Sequence, residues 1–236
     1  MTEQPYYDAY DKRYRQVYEA GGQRWGTAPD DPYLIETLHR WITDNQLSGK
    51  RIIDFACGEG GPGVIFSQKN CIYHGIDLSS AALETARTTL APFPSATVSR
   101  LDMVRQRPTG QYDAAFDSMG FHMLVVDDDR SAYLANAFAC LTPGAPMLFH
   151  HECHDPNANE KHIASFAEWL TLTNHDYHTP FRRTDIPDVE LYIPKVPSRA
   201  RSNAGYRREF EAAGFTVERI DLIKPGWATI HVRKPS

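Results

Sequence analysis

The chain has 236 residues, 42% of them hydrophobic, and a net charge of −5. That length suffices for one sizeable core. The acidic balance, with no long Lys/Arg block, gives no overall attraction to nucleic acid, and no apolar run reaches the ~20 residues needed to cross a membrane. Cys57, Cys71, Cys140 and Cys153 lie far apart without a C-x-x-C pair and read as reduced thiols, so the expected location is the cytoplasm.

The N-terminal segment is polar and tyrosine-rich, without the apolar core of a signal peptide. Tyr6, Tyr10, Tyr14 and Tyr18 recur every four residues, which predicts one aromatic stripe on a helix. Alternating patterns follow. Strands are predicted at 51–55, 72–77, 97–101, 114–118 and 146–151, with helices at 61–69, 80–90 and 129–139 between them, an order that implies a parallel sheet. Ser79 or Ser80 caps the second of these helices. After the fifth strand, about fifty residues precede a helix predicted at 200–213; of these, 159–173 reads as helical and the rest is rich in proline, aromatics and arginine. The chain closes on two apolar runs separated by a Pro-Gly turn, a β-hairpin.

The densest signal is IIDFACGEGG, 52–61, followed by the acidic strand end HGID, 74–77. A β-branched run ends at Asp54 and opens into a turn carrying Gly58, Gly60 and Gly61. Such a turn lets a ligand approach the backbone, and Asp77 lies where a carboxylate can accept two hydrogen bonds from a ribose diol. The pattern points to an adenosine-containing ligand on a doubly wound sheet.

Over about residues 48–232 the motif order resembles the class I S-adenosylmethionine (SAM)-dependent methyltransferases. The loop D-x-A-C-G-E-G-G is similar to that family's D-x-G-x-G-x-G, with Ala56 in place of the first glycine. GIDLS, RLDM, YDAAFDSMGFHML and LTPGAPMLF follow in the family's order. The resemblance is greatest to small-molecule methyltransferases of the thiopurine- and tellurite-methylating kind, whose D-S-G-x-x-H-x-L is here Asp117-Ser118-Met119-Gly120-Phe121-His122. It implies one α/β domain over 1–236, a Rossmann-like doubly wound seven-stranded sheet ending in an antiparallel hairpin, with a helical lid at 1–45 and a substrate cap at 155–200.

SAM is the implied cofactor and a small molecule the implied acceptor, with no nucleic-acid or membrane partner and a monomeric or homodimeric state. The implied cofactor set is Asp54, the loop residues Ala56, Gly58 and Gly60, Asp77 and Leu78 at the ribose, Asp102 and Met103 at the adenine, and Asp117 and Ser118 near the methionine ammonium. Tyr14 and Trp25, from the aromatic lid, join it, since aromatic faces attract a sulfonium.

The run HHECH, 150–154, ends the fifth strand, and His122 follows the fourth. His122 and His151 are the candidate general bases, because imidazole titrates near neutrality. Strand alternation is expected to turn His150 and His151 to opposite faces, and no zinc spacing is present, so no metal is expected. Arg182, Arg183, Arg199 and Arg201 are candidate carboxylate partners. Methyl transfer to an N, S or O nucleophile is the leading expectation. A SAM cyclase forming azetidine-2-carboxylate and methylthioadenosine is the alternative on the same fold, and a non-catalytic SAM-binding module is the third.

Overall fold

The computed structural model describes residues 5–174, 180–183 and 191–236. His175 and His178 of the expected cap, and the side chains of Arg182 and Arg183, lie outside the described part.

Within it, the predicted alternation forms one seven-stranded sheet. Its strands are β1 (Arg51–Phe55), β2 (Ile72–Asp77), β3 (Ala96–Arg100), β4 (Ala114–Ser118), β5 (Pro146–Cys153), β8 (Thr216–Lys224) and β9 (Trp227–Arg233), in the order β3-β2-β1-β4-β5-β9-β8. The pairs from β3 to β5 are parallel; β5–β9 and β9–β8 are antiparallel. A separate ribbon, β6 (Pro180–Arg183) with β7 (Leu191–Pro194), lies in the expected cap. Ile52, Ile53, Phe55, Ala114, Ala115 and Phe116 are buried, as central strands covered on both faces require. The Pro-Gly turn closes the C-terminal hairpin with Gly226 at φ +87°, a conformation glycine adopts without penalty.

Helices α1 (Ala9–Glu19), α2 (Pro32–Asp44), α3 (Gly61–Gln68), α4 (Ser80–Leu90), α5 (Asp127–Cys140), α6 (Phe166–Thr173) and α7 (Asn203–Ala212) complete the frame. Capping fixes several starts: Asp31, Ser79, Ser165 and Ser202 each accept from a backbone N–H three residues on.

Two expectations change here. The segment expected to be helical from 159 enters its helix only at Phe166. Ser165 accepts from Glu168 N, and the Glu168 carboxylate accepts from Ala164 N, a reciprocal cap that sets the boundary. Upstream, Ile163 N donates to Asp127 and Lys161 O accepts from Arg199, which holds that stretch as a strap. The fifth strand also runs past His151 to Cys153. Across an irregularity between Phe149 and Glu152 it regains pairing with β9. His151 sits at φ +56°, which breaks the alternation, so His150 and His151 do not face apart: their rings stack at 4.5 Å and both stack on Tyr33.

Candidate active site

The strand order reverses between β1 and β4, and at that switch point, beyond the carboxyl ends of the strands, lies a cavity of about 450 Å3. The glycine turn after β1 forms its floor. Asp54, Ala56, Gly58, Asp77, Leu78, Asp102, Met103, Ser118, His122, Tyr14 and Trp25 all line it, so the structure brings together most of the residues singled out in the sequence.

Asp77 ends β2 buried. Its carboxylate accepts from Gly58 N at 2.8 Å and Ser79 N at 2.7 Å, and burial raises its pKa to about 6 against the lowering effect of those donors. Asp54, at the end of β1, accepts from the Tyr73 hydroxyl at 2.6 Å through Oδ2. Its Oδ1 is buried with no hydrogen-bond partner, as is Ser118 Oγ at the end of β4. Burial holds the Asp54 carboxyl well above its ordinary range. Asp102 accepts from Val104 N and Arg105 N, forming its own turn, and from the Tyr7 hydroxyl at 3.2 Å.

Ala56 and Met119 are both left-handed, at φ +54° and +61°. They occupy the two positions where the resembling motifs carry glycine, and an L side chain there costs about 1–2 kcal/mol.

Three of the residues singled out lie elsewhere. Gly60, at φ +78°, caps α3, where a Cβ would meet Leu90 and Ala86. Asp117 is buried beneath the wall, where it accepts from Gly120 N at 2.9 Å and from the Tyr133 hydroxyl. His151 stacks on Tyr33 and meets the edge of Trp227 outside the cavity. Arg199 and Arg201 likewise face away from it: they bind Asp127, and Arg201 also binds Glu160 and Glu209, in a largely buried ion network joining α5, α7 and the strap. Among the described residues, no group of three or more His, Cys, Asp or Glu side chains is placed to hold a metal.

The N-terminal aromatics divide their work. Tyr7, Tyr10, Tyr14 and Trp25 form a cavity wall, while Tyr6 stacks on Phe166 and Tyr18 donates to Glu59. The cavity-facing spacing is thus 7, 10, 14 rather than the every-fourth stripe, because Tyr6–Asp8 is a 3-10 turn and α1 begins only at Ala9. Val196 and Ser198, between β7 and α7, reach the same cavity, and Pro197 O accepts from the Tyr10 hydroxyl at 2.5 Å.

Two acids were missed by the sequence reading. Glu59, within the glycine turn, is buried and accepts from the Tyr18 hydroxyl at 2.7 Å, Trp25 N at 2.9 Å and Gly26 N at 2.7 Å. It clasps the N-terminal segment to the loop. Its signal was an acid between glycines that must stay buried. Glu152, in HHECH, is fully buried and accepts from His122 N at 2.7 Å and faces His122 Nδ1 at 3.2 Å.

The described part of the chain has the class I SAM-dependent methyltransferase fold. Residues 53–147 match the family described as a methyltransferase domain. No curated protein sequence matches the chain. Among solved structures it is similar to a SAM-dependent methyltransferase from Clostridium acetobutylicum ATCC 824, at 14% identity over 98% of this chain and 99% of that one, with a TM-score of 0.64. DhpI, in complex with SAH, matches at 20% identity over 99% of both chains with a TM-score of 0.65. The glycopeptide N-methyltransferase MtfA matches at 16% identity over 86% of this chain and 90% of that one, with a TM-score of 0.61.

Proposed function

We propose that the protein binds SAM in this cavity and transfers its methyl group to a small-molecule acceptor. The observation that carries the reading is the pair of buried, unpartnered oxygens in the cavity wall, Asp54 Oδ1 and Ser118 Oγ. Unmet buried acceptors are costly unless a ligand donor completes them, and the methionine ammonium is such a donor. Asp77 and Asp102 supply acceptors for the ribose hydroxyls and the adenine amine at the other end of the cavity.

Bound there, SAM supplies a methyl group already activated by the sulfonium. The chain's part is alignment and exclusion of water. Tyr7, Tyr10, Tyr14 and Trp25 offer aromatic faces to a cation, an attraction of up to ~2 kcal/mol when desolvated. The far side, around Met119, Met123, Val196 and Trp227, is apolar and suits the body of an organic acceptor. The glycopeptide N-methyltransferase supports an organic acceptor by analogy of fold.

Calorimetry with SAM and SAH, followed by mass spectrometry of SAM with a panel of phenols, amines and thiols, tests this. The expected products are SAH and a methylated acceptor. Absence of SAM binding would end the reading, and methylthioadenosine released from SAM alone would replace transfer by cyclisation or lysis.

A further inference from the structure

His122 lines the cavity, and its ring Nδ1 faces Glu152 Oε2 at 3.2 Å. The backbone N of the same residue donates to the same oxygen at 2.7 Å, so one carboxylate grips both the main chain and the ring. Nε2 has no hydrogen-bond partner among the described residues and is the nitrogen left for the cavity. Trp227 meets the ring edge-on at 5.8 Å between centroids, and Arg199 N donates to His122 O at 2.8 Å, which pins the residue from the cap side.

Behind Glu152 the burial is complete. Its Oε1 has no partner of its own, while the Asp117 carboxyl lies close enough to hydrogen-bond with Glu152 once either acid carries a proton. Two buried carboxyls so close cannot both ionise cheaply, and a shared proton satisfies both. The titratable and charged groups facing Glu152 are Asp117 from β4, His122 from the turn after β4, Arg130 and Tyr133 from α5, and Tyr206 from α7. His151 is the further titratable neighbour of His122, and burial lowers its pKa.

We propose that Glu152 is a positioning residue that fixes His122 with its proton on Nδ1, presenting a basic Nε2 to a hydroxyl-bearing acceptor. This rests on the methyl-transfer reading above. The acceptor oxygen forms its bond to the methyl carbon as the methyl–sulfur bond breaks. The electron pair of that bond stays on sulfur, and the hydroxyl proton passes to Nε2. The imidazolium so formed is held against the Glu152 carboxylate, and its proton later returns to solvent. A thiolate or a free amine attacks without such a base, so the dyad selects for acceptors that must lose a proton during transfer.

Nitrogen-detected NMR of the full chain, with histidine labelled and SAH added, reads the tautomer directly. Wild-type His122 is expected as the Nδ1–H form, with that preference lost in Glu152→Gln and regained in part in Glu152→Asp. An Nε2–H form in the wild type, or an unchanged tautomer in Glu152→Gln, would overturn the positioning role without any variant needing activity. With phenols as acceptors, Glu152→Gln is expected to lower kcat by roughly ten- to hundredfold with KM for SAM unchanged, and to spare thiols. Equal loss on phenols and thiols, or turnover of thiols alone, would overturn the hydroxyl assignment. Calorimetry on the same samples separates the two proposals, since failure to bind SAH removes the transfer reading whatever the tautomer.

Discussion

Asp77 reaches the cavity with its orientation already fixed by Gly58 N and Ser79 N, and on the proposed reading it receives the ribose diol. Each hydrogen bond to a charged group contributes about 1.5–3 kcal/mol. Asp77→Ala is therefore expected to weaken SAH binding by roughly a hundredfold or more, and near-wild-type affinity in calorimetry would remove Asp77 from the site. Glu152 gives a different residue-scale prediction. Burial, opposed by its hydrogen bonds and by Arg130, raises its pKa from 4.5 to about 7. The folded state then keeps a proton that the unfolded chain releases. The stability from that proton is fully present below pH 4.5 and is lost as the pH rises through about 7. Glu152→Gln removes this titration, so the variant should gain on the wild type by up to roughly 3 kcal/mol on the alkaline side and lose that advantage in acid. Urea melts at about pH 5 and about pH 8 measure the difference, and a gap that does not change between them would show that Glu152 ionises in the fold as it does in water.

At the scale of elements, Glu59 in the turn after β1 ties the N-terminal segment to the sheet. Its carboxylate holds Tyr18, Trp25 and Gly26 at once, while Asp11 accepts from Ser79 Oγ at 2.7 Å and so ties α1 to the start of α4. A Cβ on Gly58 would come within 2.6 Å of the Tyr14 hydroxyl, so the loop and the tyrosine wall are fitted to each other. If this wall closes on the cofactor, amides of about residues 7–26 should gain protection from hydrogen exchange on adding SAH, more than those of β8 and β9. Glu59→Ala should raise exchange in that segment by roughly tenfold or more, since three charge-assisted bonds go at once, and leave the sheet strands unchanged. Equal protection with and without SAH would make the wall part of the permanent core. The element boundaries show where local sequence sufficed. Ser79 and Ser202 are caps that a reader of sequence can find, and the Pro-Gly turn marks the C-terminal hairpin because the chain there has no alternative. The late start of α6 was also written locally, in Ser165 and Glu168. The extension of β5 past His151 was not: it depends on pairing of Glu152 and Cys153 with β9, about seventy residues away.

For the whole molecule, the glycine turn after β1 and the strand order were legible because each glycine, acid and apolar run acts on its immediate neighbours. The surroundings of His122 were not, because Glu152 and Trp227 meet it only after β5 and β9 have paired and the turn after β4 has packed against them. That convergence has a thermodynamic consequence. The cavity is built from the turn after β1, the ends of β2 and β4, the N-terminal wall and the end of the cap, none of which forms a binding site in the unfolded chain. A ligand that binds only the folded state stabilises it by mass action, ~2.7 kcal/mol at a concentration a hundred times Kd. For a chain of this length that corresponds to a rise in Tm of roughly 5–10 °C. SAH, which has no methyl to give, should produce this shift in the wild type, and the shift should grow with the logarithm of its concentration. Asp77→Ala should lose it, because the proposed reading gives Asp77 the ribose hydroxyls. Glu152→Gln should retain it, because Glu152 faces His122 on the acceptor side rather than the adenosine. A Tm that does not move with SAH in the wild type would mean that the cavity binds some other molecule, and loss of the shift in Glu152→Gln would mean that the dyad supports the cofactor rather than the acceptor.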